Sequence, residues 1–166
     1  MQTPLDIALV RVDSRLVHGQ LLEAWVPYLK ATCLIVVDNE VATDFFRESV
    51  IRMSVPPNVE VMVSAVSDFP SRFFFRQGDG RKTIVLLSAI GDALTVHRLG
   101  FRFTKLNIDN IYNEPCRLHC TPSVLLSDLD LEAIDALHSE RVGIELRRVP
   151  REKPNDFYDL AQHIKC

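Results

Sequence analysis

Cys33-Leu-Ile-Val-Val-Asp-Asn-Glu-Val-Ala-Thr-Asp44 decides the fold. Its apolar start, Cys33 to Val37, is too short for a buried helix and rich in branched side chains, so it reads as a strand covered on both faces. Thr43 to Met53 then takes up a helical pattern, which Pro56-Pro57 ends. The same alternation runs outward in both directions. Further strands are expected at Leu5 to Val10, Val59 to Val63, Thr83 to Ser88, Lys105 to Ile108 and Val142 to Arg147. Further helices are expected at Gly19 to Tyr28, Ser67 to Phe75, Asp92 to Leu99, Asp128 to His138 and Asn155 to Ile164. In the helix from Asp128 to His138, Asp128 is the expected capping residue, followed by Leu131, Ile134 and Leu137 at helical spacing. Ile111 to Leu126 has no clear period and leaves room for short antiparallel strands. Strand–helix alternation of this kind predicts an α/β fold, with one domain over residues 1–166. Its sheet is expected to be open, twisted and mainly parallel, with helices on both faces.

Composition narrows the function. A chain of 166 residues, 47% apolar and 25% charged, can build its own core. Nineteen basic against 22 acidic residues leave a net charge of −3, which gives no global attraction to nucleic acid or anionic lipid. No apolar run approaches the ~20 residues of a spanning helix. Met1 to Asp6 lacks the basic and apolar segments of a signal peptide, so a cytoplasmic protein is expected. Cys33, Cys116, Cys120 and Cys166 show no disulfide-framework spacing, and reduced thiols are expected.

In an open α/β sheet, sites form beyond the carboxyl ends of strands. The first such place is Arg11-Val-Asp-Ser-Arg-Leu-Val-His-Gly-Gln20, which packs two arginines, an aspartate, a serine and a histidine between a strand and a helix. His18 falls where the helix begins, and helix N-termini favour anions. A neutral imidazole is a good nucleophile, and phosphoryl transfer asks mainly for alignment and positive charge around the phosphoryl oxygens. Arg11 or Arg15 could supply that charge, and Asp13 could fix the histidine tautomer. A plainer reading makes Asp13 and Ser14 helix caps and the arginines solvated.

Other features carry less. Cys116, His119 and Cys120 crowd three potential ligands onto one short segment, and no metal is expected there. Gly78 to Thr83 lacks phosphate-loop spacing and is expected to be a turn. Phe73-Phe-Phe75 cannot all point inward from one helix, so an exposed ring would be a candidate oligomer or partner contact. Trp25 is expected in the core or at a docking surface near the site. His97, His138 and His163 receive no role.

Residues 11–25, Arg-Val-Asp-Ser-Arg-Leu-Val-His-Gly-Gln-Leu-Leu-Glu-Ala-Trp, resemble the signature of the mannose/fructose/sorbose-type IIB components of the bacterial phosphoenolpyruvate:sugar phosphotransferase system. In that family the segment reads Arg-Ile-Asp-Asp-Arg-Leu-Ile-His-Gly-Gln. The likeness continues through Ile35-Val-Val-Asp-Asn-Glu-Val-Ala42, Asp44, Pro56-Pro57 and Glu145-Leu-Arg-Arg-Val-Pro150, and so spans nearly the whole chain.

The resemblance implies a phosphotransferase with a histidine phospho-intermediate, carried on Nδ1 of His18. It implies Arg15 and Arg147 as the arginines of phosphoryl transfer, and Arg11 and Asp13 match the start of the same loop, where Asp13 is the expected orienter of the histidine. Arg11, Ser14, Gly19 and Gln20 complete the expected phosphate cradle. The implied partners are a IIA phosphodonor protein and, transiently at the membrane, a IIC/IID sugar permease. Neither cofactor nor metal is required.

Two departures from the family pattern stand out. Ser14 replaces a second Asp, and Leu106-Asn-Ile-Asp-Asn-Ile111 replaces a Leu-Asn-Val-Gly-Gly-Met pattern, followed by Tyr112-Asn-Glu-Pro-Cys-Arg-Leu-His-Cys120. Asp109 is expected to repel a phosphate if its loop faces His18. That expectation keeps a second reading in play, a regulatory IIB-like protein whose His18 phosphorylation controls a partner.

Overall fold

The chain was described from a computed structural model covering residues 3–75 and 82–163. Its long first strand, β1 (Thr3–Val12), lies in the middle of the main sheet. A helix of residues 19–29 follows (α1), π-helical over Leu21–Trp25 and α-helical over Val26–Leu29. Then come β2 (Cys33–Val37), α2 (Asn39–Thr43), α3 (Phe45–Ser54), β3 (Glu60–Ser64), α4 (Phe69–Arg72) and β4 (Phe73–Phe75). The second half holds β5 (Lys82–Leu87), α5 (Ile90–Arg98), β6 (Lys105–Ile108), β7 (Ile111–Tyr112), β8 (Leu118–Thr121) and β9 (Val124–Leu126). It closes with α6 (Asp128–Ser139), β10 (Gly143–Leu146), β11 (Asn155–Asp156) and α7 (Phe157–Ala161).

The main sheet runs β11-β10-β6-β1-β5-β2-β3, with β4 also paired to β1. Every pairing in it is parallel except β10–β11. Parallel strands need crossover helices, and these cover both faces. Ile35, Val37, Val85 and Leu87 share a core with Phe69, Ala93, Val96, Ile134 and Leu137 of α4, α5 and α6. Leu34, Val36, Ile84 and Leu86 share the other with Leu21, Trp25 and Val26 of α1. Adjacent residues of one strand therefore serve opposite cores, which is why these strands are apolar throughout. Among the described residues no helix is long and apolar enough to cross a membrane.

Topology fixes where a site can form. After β1 the chain leaves toward β2 on one side of the sheet; after β6 it leaves toward β10 on the other. These two strands are neighbours, with Arg11 opposite Asn107 and Val12 opposite Ile108. The crevice between their carboxyl ends is a topological switch point, where ligand sites form in such folds.

The expected helix over Ser67 to Phe75 shrinks to α4, because Phe73–Phe75 pairs in parallel with Thr3–Leu5. Aromatic residues suit strands, and Phe73 is buried with its ring 5.2 Å from that of Phe69. The side chains of Phe74 and Phe75, and residues 78–81 of the expected turn, lie outside the described parts. Asn155 and Asp156 pair with β10 before α7 begins, and Asp156 caps α7 by accepting from the backbone N–H of Tyr158 and Asp159. The irregular stretch forms a separate three-stranded sheet, in which β8–β9 is antiparallel and β7–β9 parallel. There His119 is exposed while Cys120 is buried, and burial pushes the Cys120 thiol up to about 11. Neither Cys33 nor Cys120 is in a disulfide, whereas Cys116 is, against the expectation of reduced thiols throughout.

Helix α6 begins at Asp128, as expected, but its cap is Ser127 rather than Asp128. Ser127 Oγ accepts from the Asp130 N–H at 3.3 Å, and Asp130 Oδ2 accepts from the Ser127 N–H at 2.9 Å. This reciprocal box satisfies two donors that a helix start leaves unpaired. Asn113 Nδ2 donates to the same Asp130 oxygen at 2.8 Å, which ties the small sheet to the helix. Ser127→Ala should lower stability by about 1 kcal/mol. Urea denaturation measures it, and an unchanged midpoint would mean that the box contributes nothing.

Candidate functional site

On β1, Val10 and Val12 face one core, which leaves Arg11 pointing into the other, against α1. Asn107 lies opposite it on β6, and Glu145 opposite Asn107 on β10. The three make a polar row across otherwise apolar strands. Arg11 Nη1 donates to Asn107 Oδ1 at 2.5 Å and to the Arg147 carbonyl at 2.9 Å. Its Nη2 donates to Asp13 Oδ2 at 3.0 Å and Asp109 Oδ2 at 3.2 Å. Asn107 Nδ2 continues the row to Glu145 Oε1 at 3.2 Å.

The Arg11 guanidinium lies 5.5 Å from the Trp25 ring, and its side chain has no exposure. Burial pulls its pKa down from the usual guanidinium value, against the opposing pull of Asp13 and Asp109. This corrects the expectation that Arg11 contacts phosphate directly. It is an internal counter-ion, sealed from any incoming group.

Beyond β1 the loop folds back on itself. The Asp13 N–H donates to the Leu87 carbonyl at 2.9 Å, and Leu16 N–H to the Asp13 carbonyl at 2.9 Å. Leu16 adopts a left-handed conformation (φ 57°), which is costly for a leucine. Its buried side chain packs in the same cluster as Leu21 and Trp25 and holds the loop in that shape.

The Asp13 carboxylate is fully buried and collects five bonds. Oδ1 accepts from the Arg15 N–H and from Arg15 Nε, each at 3.0 Å. Oδ2 takes Arg15 Nη2 at 2.9 Å, Arg11 Nη2 at 3.0 Å and His18 Nε2 at 3.0 Å. Burial alone would raise its pKa, but the bonds from His18 and Arg15 and the charge of Arg11 outweigh that. They hold Asp13 well below the usual carboxylate range.

An ionised Asp13 can only accept, so the proton between the two groups belongs to His18 Nε2. The lone pair is then on Nδ1. His18 is partly exposed, and its carbonyl accepts from the Leu22 N–H at 3.1 Å, which sets the imidazole at the start of α1. The N–H groups of a helix's first turn have no intrahelical acceptor. Gly19 there is exposed, and a side chain added to it would meet only open space.

The remaining expected residues divide. Arg15 is 38% exposed, and Asp13 pulls its pKa upward. Its Nη2 also reaches Asp109 Oδ2 at 3.3 Å and Gln20 Oε1 at 3.4 Å. Among the described residues its Nη1 meets no acceptor. Ser14 Oγ donates to the Asn110 carbonyl at 2.6 Å and accepts from Asn110 Nδ2 at 2.8 Å, so its hydroxyl is bound within the protein.

Arg147 is engaged by its own loop and by aromatic rings. Its Nε donates to the Glu152 carbonyl at 2.8 Å, its Nη2 to that of Pro150, and its guanidinium stacks 5.5 Å from Trp25 and 5.9 Å from Tyr28. A rim on which Arg11, Arg15 and Arg147 gather as free cations does not form.

Asp109 faces the loop, as expected, yet it is not a bare charge. Oδ2 takes both Arg11 and Arg15, and Oδ1 accepts from Ser123 Oγ at 2.5 Å. Sequence reading missed Asn107 and Ser123. For Asn107 a signal was present, a lone amide between Leu106 and Ile108 in an apolar strand. For Ser123 there was none.

Comparison with known proteins completes the picture. Residues 7–165 match the family described as "PTS system sorbose subfamily IIB component". The chain is 28% identical over 160 residues to the fructose-specific EIIB component of Bacillus subtilis, covering 96% of this chain and 98% of that one. It is 27% identical to the sorbose-specific EIIB component of Klebsiella pneumoniae, over 93% of this chain and 94% of the other. The crystal structure of the IIBSor domain of the Klebsiella pneumoniae sorbose permease superposes with a TM-score of 0.83 at 25% identity, over 95% of this chain and 97% of that domain. The chain therefore belongs to the sorbose subfamily of IIB components, phosphotransferases of the sugar phosphotransferase system.

Proposed function

We propose that His18 is the residue on which this phosphocarrier receives and passes on its phosphoryl group. The observation that carries the reading is the 3.0 Å contact between His18 Nε2 and a buried carboxylate that Arg11 and Arg15 also bind. It leaves Nδ1 as the nucleophile. The donor's N–P bond breaks as the Nδ1–P bond forms, and the donor nitrogen keeps the electron pair. The positive charge that develops on the His18 ring is shared with Asp13 through the Nε2 proton. In onward transfer the Nδ1–P bond breaks to an acceptor hydroxyl, which releases its proton, and the imidazole returns neutral.

Arg15 is the cation within reach of that phosphoryl group, with Nη1 unengaged and the planar fork that phosphate oxygens favour. Gly19 and Gln20 open α1 beside it, where helix N–H groups favour an anion. Arg147 acts one step back, by bracing residues 147–152 and by packing, like Arg11, against the Trp25 ring.

IIB components work with IIA and IIC/IID partners, and this chain corresponds to about half the length of the mannose-specific EIIAB component of Escherichia coli. In our reading the donor is a IIA histidine and the acceptor a sugar held by a membrane permease. The protein would work in the cytoplasm, docking transiently on that permease. The regulatory alternative drew its support from the repulsion expected of Asp109. Pairing of Asp109 with Arg11, Arg15 and Ser123 takes that support away.

His18→Ala should abolish acid-labile phosphorylation by phosphoenolpyruvate, the general phosphotransfer proteins and a IIA donor, measured by radiolabelling. Persistent acid-labile label would move the phosphoryl group to another residue. Asp13→Asn should slow transfer roughly a hundredfold or more, because the amide can donate to His18 Nε2 and so leave the ring proton on Nδ1. Arg15→Lys should leave folding intact and slow transfer about tenfold through loss of the bidentate fork. Rapid-quench kinetics read both, and wild-type rates in either variant would remove that residue from the mechanism.

A further inference from the structure

We infer that Asp109 sets the phosphoryl-transfer potential of His18 by competing with the phosphoryl group for Arg15. The inference rests on the reading of His18 as the phosphorylated residue and adds a determinant of how tightly the group is held.

Within the protein two cations, Arg11 and Arg15, face two carboxylates, Asp13 and Asp109, so these four groups sum to zero charge. A phosphoryl group brings two negative charges into this balance. Without Asp109 it would meet a net positive charge; with Asp109 it meets none.

The geometry also says which bond yields. Arg11 has no exposure and is tied to Asn107 and the Arg147 carbonyl, so it stays in place. Arg15 is 38% exposed, and its contact to Asp109 is long, 3.3 Å. When Arg15 turns toward phosphate, Asp109 is not stranded. Its Oδ2 keeps Arg11 at 3.2 Å and its Oδ1 keeps Ser123 at 2.5 Å. A buried carboxylate abandoned by all its partners would be strongly destabilised; this one retains two. Asp109 can therefore release Arg15 and take it back as the phosphoryl group arrives and leaves. Asp109 is a positioning residue that acts through Arg15. Its consequence is a phosphohistidine less stabilised, and so more ready to transfer, than the same loop would give without it.

Phosphoramidate, a small donor whose P–N bond breaks with loss of ammonia as the Nδ1–P bond forms, tests this without a partner protein. Wild type, Asp109→Asn and Asp109→Gly would be phosphorylated with it. The 31P resonance of the phosphohistidine then gives its extent and, after donor removal, its lifetime. Loss of the charge should raise both roughly tenfold or more, in variants shown by thermal melting to be folded. The gain should shrink in an Arg15→Gln background, where there is no latch to release.

Equal extent and lifetime in wild type and both variants would overturn the role of Asp109 while leaving His18 as the carrier. The same gain in the Arg15→Gln background would overturn the route through Arg15. A phosphohistidine signal that survives His18→Ala undiminished would overturn the reading of His18, and this inference with it.

Discussion

Burying a guanidinium costs several kcal/mol unless acceptors meet its edges, and Arg11 projects from the central strand with no exposure at all. That constraint orders the rest of the site. The strand register supplies Asn107 as one acceptor, and the loops after β1 and β6 supply Asp13 and Asp109 as two more. Trp25 closes the remaining side and donates from Nε1 to the Arg148 carbonyl at 3.0 Å, which pins the 147–152 loop against α1. Because Arg11 cannot move, Asp13 cannot either. Because Asp13 stays ionised, the tautomer of His18 is settled. The reactivity of a surface imidazole is thus decided by a charge that never reaches the surface.

The two places where this chain leaves its family's pattern touch each other. Ser14 and Asn110 exchange hydrogen bonds through side chain and backbone, which bolts the loop after β1 to the loop after β6. Asn110 has the left-handed conformation (φ 52°) that a glycine in the resembling pattern would reach without strain, and asparagine is among the side chains that tolerate it best. A carboxylate is absent from position 14 and present at 109. Taken together, the substitutions relocate one negative charge from an exposed loop tip to a buried position between two arginines. Read singly, each was a loss or a clash; read as a pair, they keep the rim's charge and change what it grips.

How legible the site was depended on the range of each interaction. The strand–helix alternation, the parallel sheet and the loop beyond β1 follow from local patterns, and the structure has them. Short-range features failed where long-range pairing competed with them. Phe73–Phe75 continued a helical pattern in sequence but found an open stretch of β1 to pair with, and Asn155–Asp156 found β10. The charged residues were harder. Nothing local distinguishes Arg11, which faces a core, from Arg15, four residues on and exposed; only the alternation of β1 relative to α1 separates them. Arg147 was legible as part of a motif, yet the loop carbonyls that occupy it lie three and five residues ahead, in a turn with no sequence signature.

The net charge of −3 gave no reason to expect anion binding, and the density of arginines near His18 pointed the other way. Neither count describes the site. Its arginines are matched by internal carboxylates, so their charges nearly cancel, although its cations are fixed or poised. That balance suits a relay. A pocket of unopposed cations would bind a phosphoryl dianion tightly and then have to release it, and the binding energy would reappear as a barrier to onward transfer. If His18 carries the phosphoryl group as proposed, counter-charges built into the protein would lower the affinity of the bound state while leaving Arg15 free to follow that group as charge shifts. Acceptance from one partner and delivery to the next can then proceed over comparable barriers, which is what a carrier between two transfers requires.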